Sequence, residues 1–198
     1  MGKETLQDQE GLYPSSTPLV FTDGTEFYND LATRYIKHDK GYFIMAPSGV
    51  GKSHYYRNQK DGEKNWIDAD RLWRWSRAMP LGAWWEESGE VCDQVDQQCD
   101  VITLHAKKMG FWMLGSANYW FQPDAIVIPD WDVHVGFIKQ RELNYDGGAK
   151  SDLASLKRVQ GHREWIERWE KKGVPKFKSI AEAIEYLEND YFKLNKSS

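Results

Sequence analysis

The stretch Ala46-Pro47-Ser48-Gly49-Val50-Gly51-Lys52-Ser53 directly succeeds the apolar run Tyr42-Phe43-Ile44-Met45. A short run that is apolar at every position reads as a strand buried on both faces. The eight residues after it have the spacing of a phosphate-cradling P-loop, with Ala46 standing where the strictest pattern has glycine. Each residue type has a physical reason. Gly49 and Gly51 let the backbone take turn geometry and bring its N–H groups close to a polyphosphate. Ser48, Gly49, Val50 and Gly51 would supply those amides, Lys52 would reach the β- and γ-phosphates, and the Ser53 hydroxyl would ligate Mg²⁺. A helix opening near Lys52 would turn the positive end of its dipole toward the anion. The expected ligand is ATP or GTP with magnesium.

Around this segment the chain alternates strands and helices. Residues 1–24 are polar and turn-rich, with Pro14, Ser15, Ser16 and Pro18 together, and read as a loosely attached arm ahead of one domain over 25–198. A helix is expected from Thr25 to Lys37, with Phe27, Leu31 and Tyr35 on one stripe, and another from Lys52 to about Gln59. Further strands are expected at Asn65–Asp68, Phe111–Leu114, Ala125–Ile128 and Val174–Phe177. Further helices are expected over Glu90–Lys108, Trp131–Arg141 and Ser151–Lys172, with Gly161 a candidate interruption. A last helix, capped by Ser179, carries Ile180, Ala183, Ile184, Leu187 and Tyr191 on one stripe. Apolar strands alternating with helices mean an α/β architecture: a five-stranded parallel sheet with helices on both faces, in three layers. With its phosphate loop, the expected fold is that of a P-loop NTPase. Ligands in such sheets bind at the C-terminal ends of the strands.

Three groups at that edge carry chemistry. Asp68-Ala69-Asp70 closes the second strand; these carboxylates could orient an acceptor hydroxyl, take its proton, or hold Mg²⁺ through water. The structural alternative is that Asp70 caps a helix starting at Arg71. The stretch after them holds Trp73, Trp75, Trp84 and Trp85, interleaved with Arg71, Arg74 and Arg77. An indole stacked on a base contributes about 1–3 kcal/mol, and guanidinium groups meet phosphates; packing within the domain is the competing role. Gly115-Ser116-Ala117-Asn118 ends the third strand, either as a plain strand-to-helix turn or as a ligand-contacting loop in which Gly115 would permit close approach and Asn118 would offer an amide.

The P-loop together with Asp68-Ala69-Asp70 resembles the small P-loop kinases, the nucleoside monophosphate, shikimate and gluconate kinases, over roughly residues 41–188. The resemblance implies an ATP- and Mg²⁺-dependent phosphotransferase in which Lys52 and Ser53 hold the donor and Asp68 or Asp70 handles the acceptor. It implies an acceptor-binding insert over 71–110, with Arg71, Trp73, Arg74, Trp84, Trp85, Gly115 and Asn118 as contacts. It also implies a lid over 139–158, from which Arg141 and Arg158 would neutralise the transferring phosphoryl group. His162 and Arg163 are further candidates on the next helix. The tryptophans and arginines favour a nucleotide or nucleic-acid acceptor. The sharpest form is the hydroxyl of a 5-hydroxymethylpyrimidine in DNA, as in phage kinases of this general look; a nucleoside monophosphate kinase is the neighbouring alternative.

Other classes fit less well. A GTPase switch would need an Asp-x-x-Gly after the third strand and an Asn-Lys-x-Asp base reader. A motor ATPase would need a carboxylate closing the strand beside the P-loop, where Leu114 runs into Gly115 instead. The formal net charge is −4, so no global basic footprint marks the chain for nucleic acid, although a local basic channel remains compatible with it. Cys92 and Cys99 are the two cysteines and, seven residues apart, cannot bridge on one helix. No apolar run approaches the roughly 20 residues of a membrane span. A cytoplasmic protein without a membrane partner or an obligate protein partner is expected.

Overall fold

The computed structural model of the chain describes residues 18–20, 26–28, 41–57, 66–79, 82–144 and 148–195. Two short strands, β1 (Pro18–Val20) and β2 (Glu26–Tyr28), pair antiparallel, with Leu19 opposite Phe27. The main sheet has five strands, all parallel: β3 (Tyr42–Met45), β4 (Trp66–Asp68), β5 (Trp112–Gly115), β6 (Ala125–Val127) and β7 (Lys176–Phe177), in spatial order β4-β5-β3-β6-β7. Among the described residues six α-helices accompany them: α1 (Lys52–Arg57), α2 (Ala69–Trp75), α3 (Gly89–Lys108), α4 (Trp131–Asn144), α5 (Leu153–Glu167) and α6 (Ile180–Asn195). The architecture is α/β.

Side chains on a strand alternate between faces, and here both faces are apolar. Phe43, Met45, Met113 and Ile126 turn to one side and meet Leu72 and Trp73 of α2, Val95, Cys99, Ile102 and Ala106 of α3, and Ile166 near the end of α5. Tyr42, Ile44, Trp112, Leu114, Ala125 and Val127 turn to the other and meet Ile180, Ala183, Ile184 and Leu187 of α6, with Tyr55 and Tyr56 of α1 half-buried against them. Ile138, Ala149 and Val159 form a smaller cluster that joins α4 to α5. The register places Ile44 opposite Leu114 on one side and Ala125 on the other.

β3 is therefore the middle strand. From it the chain runs through α1 to the edge strand β4, returns as β5, and then crosses to β6 on the opposite side of β3. Connections leaving β3 and β6 diverge, and such a reversal opens a crevice at the C-terminal ends of the strands.

Several elements differ from expectation. The start of the helix expected over Thr25–Lys37 is instead strand β2, and its partner β1 lies within the expected arm. Adjacent aromatic residues such as Phe27 and Tyr28 favour extended backbone once a partner strand is present. Residues 29–40 and 58–65 lie outside the described residues, as do the ends of those two expected helices. Helix α2 begins at Ala69, and its N-cap is Asp68 rather than Asp70; the Asp68 carboxylate accepts from the Arg71 N–H. Asp70 therefore sits inside the first turn. Helix α5 runs unbroken through Gly161, from its cap at Asp152, whose Oδ1 accepts from Ser155 N at 2.9 Å. Packing of Val159 and Ile166 outweighs the roughly 1 kcal/mol that a helical glycine costs. Cys92 and Cys99 are both free thiols on α3.

Candidate active site

The loop that leaves β3 turns sharply at Gly49 (φ 91°) and Gly51 (φ 89°), a region that side-chain-bearing residues rarely occupy. Its two sides differ. A Cβ on Gly49 would lie 2.7 Å from Ile138 Cγ1, so α4 packs against that side, whereas a Cβ on Gly51 would meet nothing within 4 Å. α1 starts at once, with Tyr55 N donating to Gly51 O at 2.8 Å. Lys52 does not extend into solvent: its ammonium donates to the carbonyls of Ala46 and Pro47, both at 3.0 Å, and the residue is 8% exposed. Burial lowers its pKa; Asp70 and then Asp68 oppose that shift, and Arg141 adds to it. Ser53, on the first turn of α1, is exposed.

The two carboxylates converge on the same edge. Asp68 ends β4 and caps α2, with Oδ1 accepting from Arg71 N at 3.4 Å. Burial first, and the neighbouring Asp70 second, push its pKa up to about 6, against the pull of Arg71 and Lys52. Asp70 Oδ1 accepts from the Ser116 hydroxyl at 2.8 Å. β5 lies between β4 and β3, so Ser116, just past its end, stands between the carboxylates and the glycine loop. His162 of α5 closes this row. Its Nε2 is 2.7 Å from the Ser116 carbonyl oxygen, and since a carbonyl only accepts, Nε2 carries the proton. Burial, aided by Lys52, depresses the His162 pKa to about 4.

A second contact chain reaches the glycine loop from behind. His134 of α4 is fully buried, with Nε2 2.8 Å from the Ser48 carbonyl oxygen. Arg163 of α5 places Nη1 2.9 Å from His134 Nδ1 and donates from Nη2 to the Pro129 carbonyl at 2.8 Å. The guanidinium also lies over the Trp131 ring, 5.3 Å from its centre. Burial lowers the His134 pKa, and Arg163 and Lys52 add to that against the Ser48 carbonyl.

The structure thus gathers the glycine loop, Lys52, Asp68 and Asp70, with the charge of Arg141 felt at Lys52. Other expected site residues lie elsewhere or have other work. Trp73 is completely buried, its Nε1 donating to Thr103 Oγ1 at 3.0 Å, so it is a core residue and offers no face to a base. Gly115 is small for a packing reason and not for ligand approach: a Cβ there would lie 2.6 Å from Trp73 Cη2 and 2.8 Å from Phe43 Cε2. Asn118 is buried, and its amide is engaged on both sides. It donates to the Phe121 carbonyl at 2.7 Å and accepts from Arg168 at 3.0 Å and Trp169 Nε1 at 3.2 Å. The buried Asp100 carboxylate holds the same loop, accepting from the backbone N–H groups of Tyr119, Trp120 and Phe121.

Trp84 is half-buried against the core, and Trp85, packed edge-on against it, is exposed. Arg71 and Arg74 are half-buried on α2, and the Arg74 Nε is buried without a hydrogen-bond partner. The Arg141 guanidinium lies against the Gly148 backbone. Arg158 is exposed, and its charge is felt by Asp152. Ser116 and His134 are the residues that sequence reasoning did not single out for a role. Ser116 sits in a loop the motif reading covers, but its partner Asp70 is 46 positions away. His134 has no local signal at all.

For a metal the available donors are the Ser53 hydroxyl and the Asp68 and Asp70 carboxylates, hard oxygen ligands that suit Mg²⁺. Among the described residues no group of three or more His, Cys, Asp or Glu side chains gathers to hold an ion, so Mg²⁺ here would draw the rest of its shell from phosphate oxygens and water. Among the described residues no helix is long and apolar enough to cross a membrane. No family model, curated protein or solved structure matches this chain.

Proposed function

We propose that this chain is a P-loop phosphotransferase that moves the γ-phosphoryl group of Mg²⁺–ATP to the hydroxyl of a nucleotide-type acceptor. The sharpest form of the reading has a 5-hydroxymethylpyrimidine in DNA as that acceptor. One observation carries it: a buried lysine folded onto the carbonyls of a loop with two left-handed glycines shares the C-terminal edge of a parallel sheet with a pair of carboxylates, one of them fixed by Ser116. Phosphoryl transfer asks a protein for positioning and charge neutralisation more than for covalent chemistry, and that edge supplies both.

Lys52 exchanges the Ala46 and Pro47 carbonyls for phosphate oxygens, a trade of neutral acceptors for charged ones. Amides from Ser48 to Gly51 line the loop, and Ser53 and Asp68 are the residues that would hold Mg²⁺, whose charge would screen donor from acceptor. Ser116 fixes the orientation of Asp70, which receives the acceptor's proton. Arg141, already within electrostatic reach of Lys52, is the lid cation best placed to meet developing charge. For the acceptor, Trp85 offers an exposed indole, which supports a base-bearing acceptor over a sugar acid.

The test is transfer of label from γ-labelled ATP to a panel of nucleosides, nucleoside monophosphates and DNA oligomers, plain and hydroxymethylated. Label on hydroxymethylated DNA or on a monophosphate sustains the reading and selects its form. ATP hydrolysis with no labelled acceptor in the panel would replace it with a binding or switch ATPase.

A further inference from the structure

We propose that His134, locked by Arg163, is a positioning residue that sets the Ser48–Gly49 peptide for a triphosphate; this rests on the phosphotransferase reading of the glycine loop. The protonation pattern comes from elementary chemistry. A guanidinium has only donors, so the 2.9 Å contact from Arg163 Nη1 makes His134 Nδ1 the acceptor. The proton is then on Nε2, which donates to the Ser48 carbonyl at 2.8 Å. Arg163 is anchored in turn by the Pro129 carbonyl at 2.8 Å and by the Trp131 face. The chain of contacts therefore has a direction: Arg163 donates to His134, and His134 donates to the loop.

Peptide geometry sets the consequence for the loop. In a planar trans peptide the C=O and the next N–H point in opposite directions. Holding the Ser48 carbonyl toward α4 turns the Gly49 N–H away from α4, toward the side of the loop not packed by that helix. Gly49, at φ 91°, is a residue for which the opposite peptide orientation costs little. A flip of that one peptide would replace a donor with a carbonyl oxygen facing the anion. The loop's own sequence does not prevent the flip; the buried imidazole does. A fully buried histidine is costly unless both ring nitrogens are engaged, and both are engaged here.

The test uses the full-length chain and its variants, titrated calorimetrically with Mg²⁺ and adenosine 5′-(β,γ-imido)triphosphate, with acceptor KM measured alongside. Glutamine reproduces both functions of the ring, an N–H for Ser48 and an oxygen for Arg163; leucine reproduces only the bulk. His134→Leu should weaken analogue binding at least about tenfold while acceptor KM holds, and His134→Gln should stay within about threefold of wild type, as expected for one well-made buried hydrogen bond. Arg163→Met should weaken binding as well, because the ring is then free to turn or change tautomer. A folded His134→Leu that binds like wild type, or a glutamine variant as weak as the leucine one, overturns the proposal. Should His134→Leu fail to fold, undiminished binding by Arg163→Met overturns it. A wild-type chain that does not bind the analogue overturns the phosphotransferase reading itself, and this proposal with it.

Discussion

Asp68 and Asp70 are two positions apart and have different work. Asp68 caps α2 through its side chain, while Asp70 is held by Ser116. Asp70→Asn keeps the Ser116 contact available but cannot take a proton, so kcat should fall by about 10² or more with ATP binding little changed. Asp68→Asn remains a good cap; stability should hold, and a loss of turnover that extra Mg²⁺ restores would support the proposed metal-holding role. Normal turnover in both variants would remove the carboxylates from the chemistry. Asp96 makes a separate case. Burial first and Asp100 second push its pKa up from 3.8 to about 7. Between those values the folded chain holds a proton that the unfolded chain has released. Its contribution to stability is therefore full below the unfolded value and is lost as pH rises toward about 7. Urea unfolding of wild type and Asp96→Asn across pH 4–8 should show the difference between the two drifting steadily against wild type as pH rises; a flat difference would contradict this.

At the level of elements, the five strands of the main sheet were legible because apolar runs bounded by polar or glycine residues have few other readings, whereas β1 and β2 were not, and the loop was legible because its glycines and lysine fall within four residues. The tryptophan-rich segment was not, because sequence spacing does not say which indole faces inward. Trp73 falls on the buried stripe of α2 beside Leu72, over Gly115, while Trp85 lies within a single helical turn and faces out. These two tryptophans should behave oppositely. Trp73→Leu removes a fully buried ring and its hydrogen bond to Thr103, and should cost about 2–5 kcal/mol of stability with acceptor KM unchanged in the folded fraction. Trp85→Leu should leave the unfolding midpoint alone and raise acceptor KM, by the equivalent of about 1–3 kcal/mol if the indole stacks on a base. An unchanged KM for Trp85→Leu would take away the main support for a nucleotide-type acceptor.

Across the whole molecule, the site is assembled from parts far apart in sequence. The glycine loop, β4, the end of β5 and the two helices α4 and α5 meet only because β3 is central and the connections leaving β3 and β6 diverge. This is why Lys52, Asp68 and Asp70 were readable from local motifs and His134 was not: its partners are 86 positions upstream at Ser48 and 29 downstream at Arg163. The sign of the charge at the loop ties these parts together. Lys52 rests on two carbonyls of its own loop, buried and with its pKa lowered, among groups that would all be re-paired by a bound triphosphate. The measurement that bears most directly on this account is binding of Mg²⁺–ATP to wild type and to Lys52→Ala, each checked for the same thermal midpoint. Wild type should bind saturably and the variant should lose at least about 10²-fold, several kcal/mol being the usual cost of removing a phosphate-neutralising cation. A Lys52→Ala chain of unchanged stability that binds ATP as wild type does would contradict it.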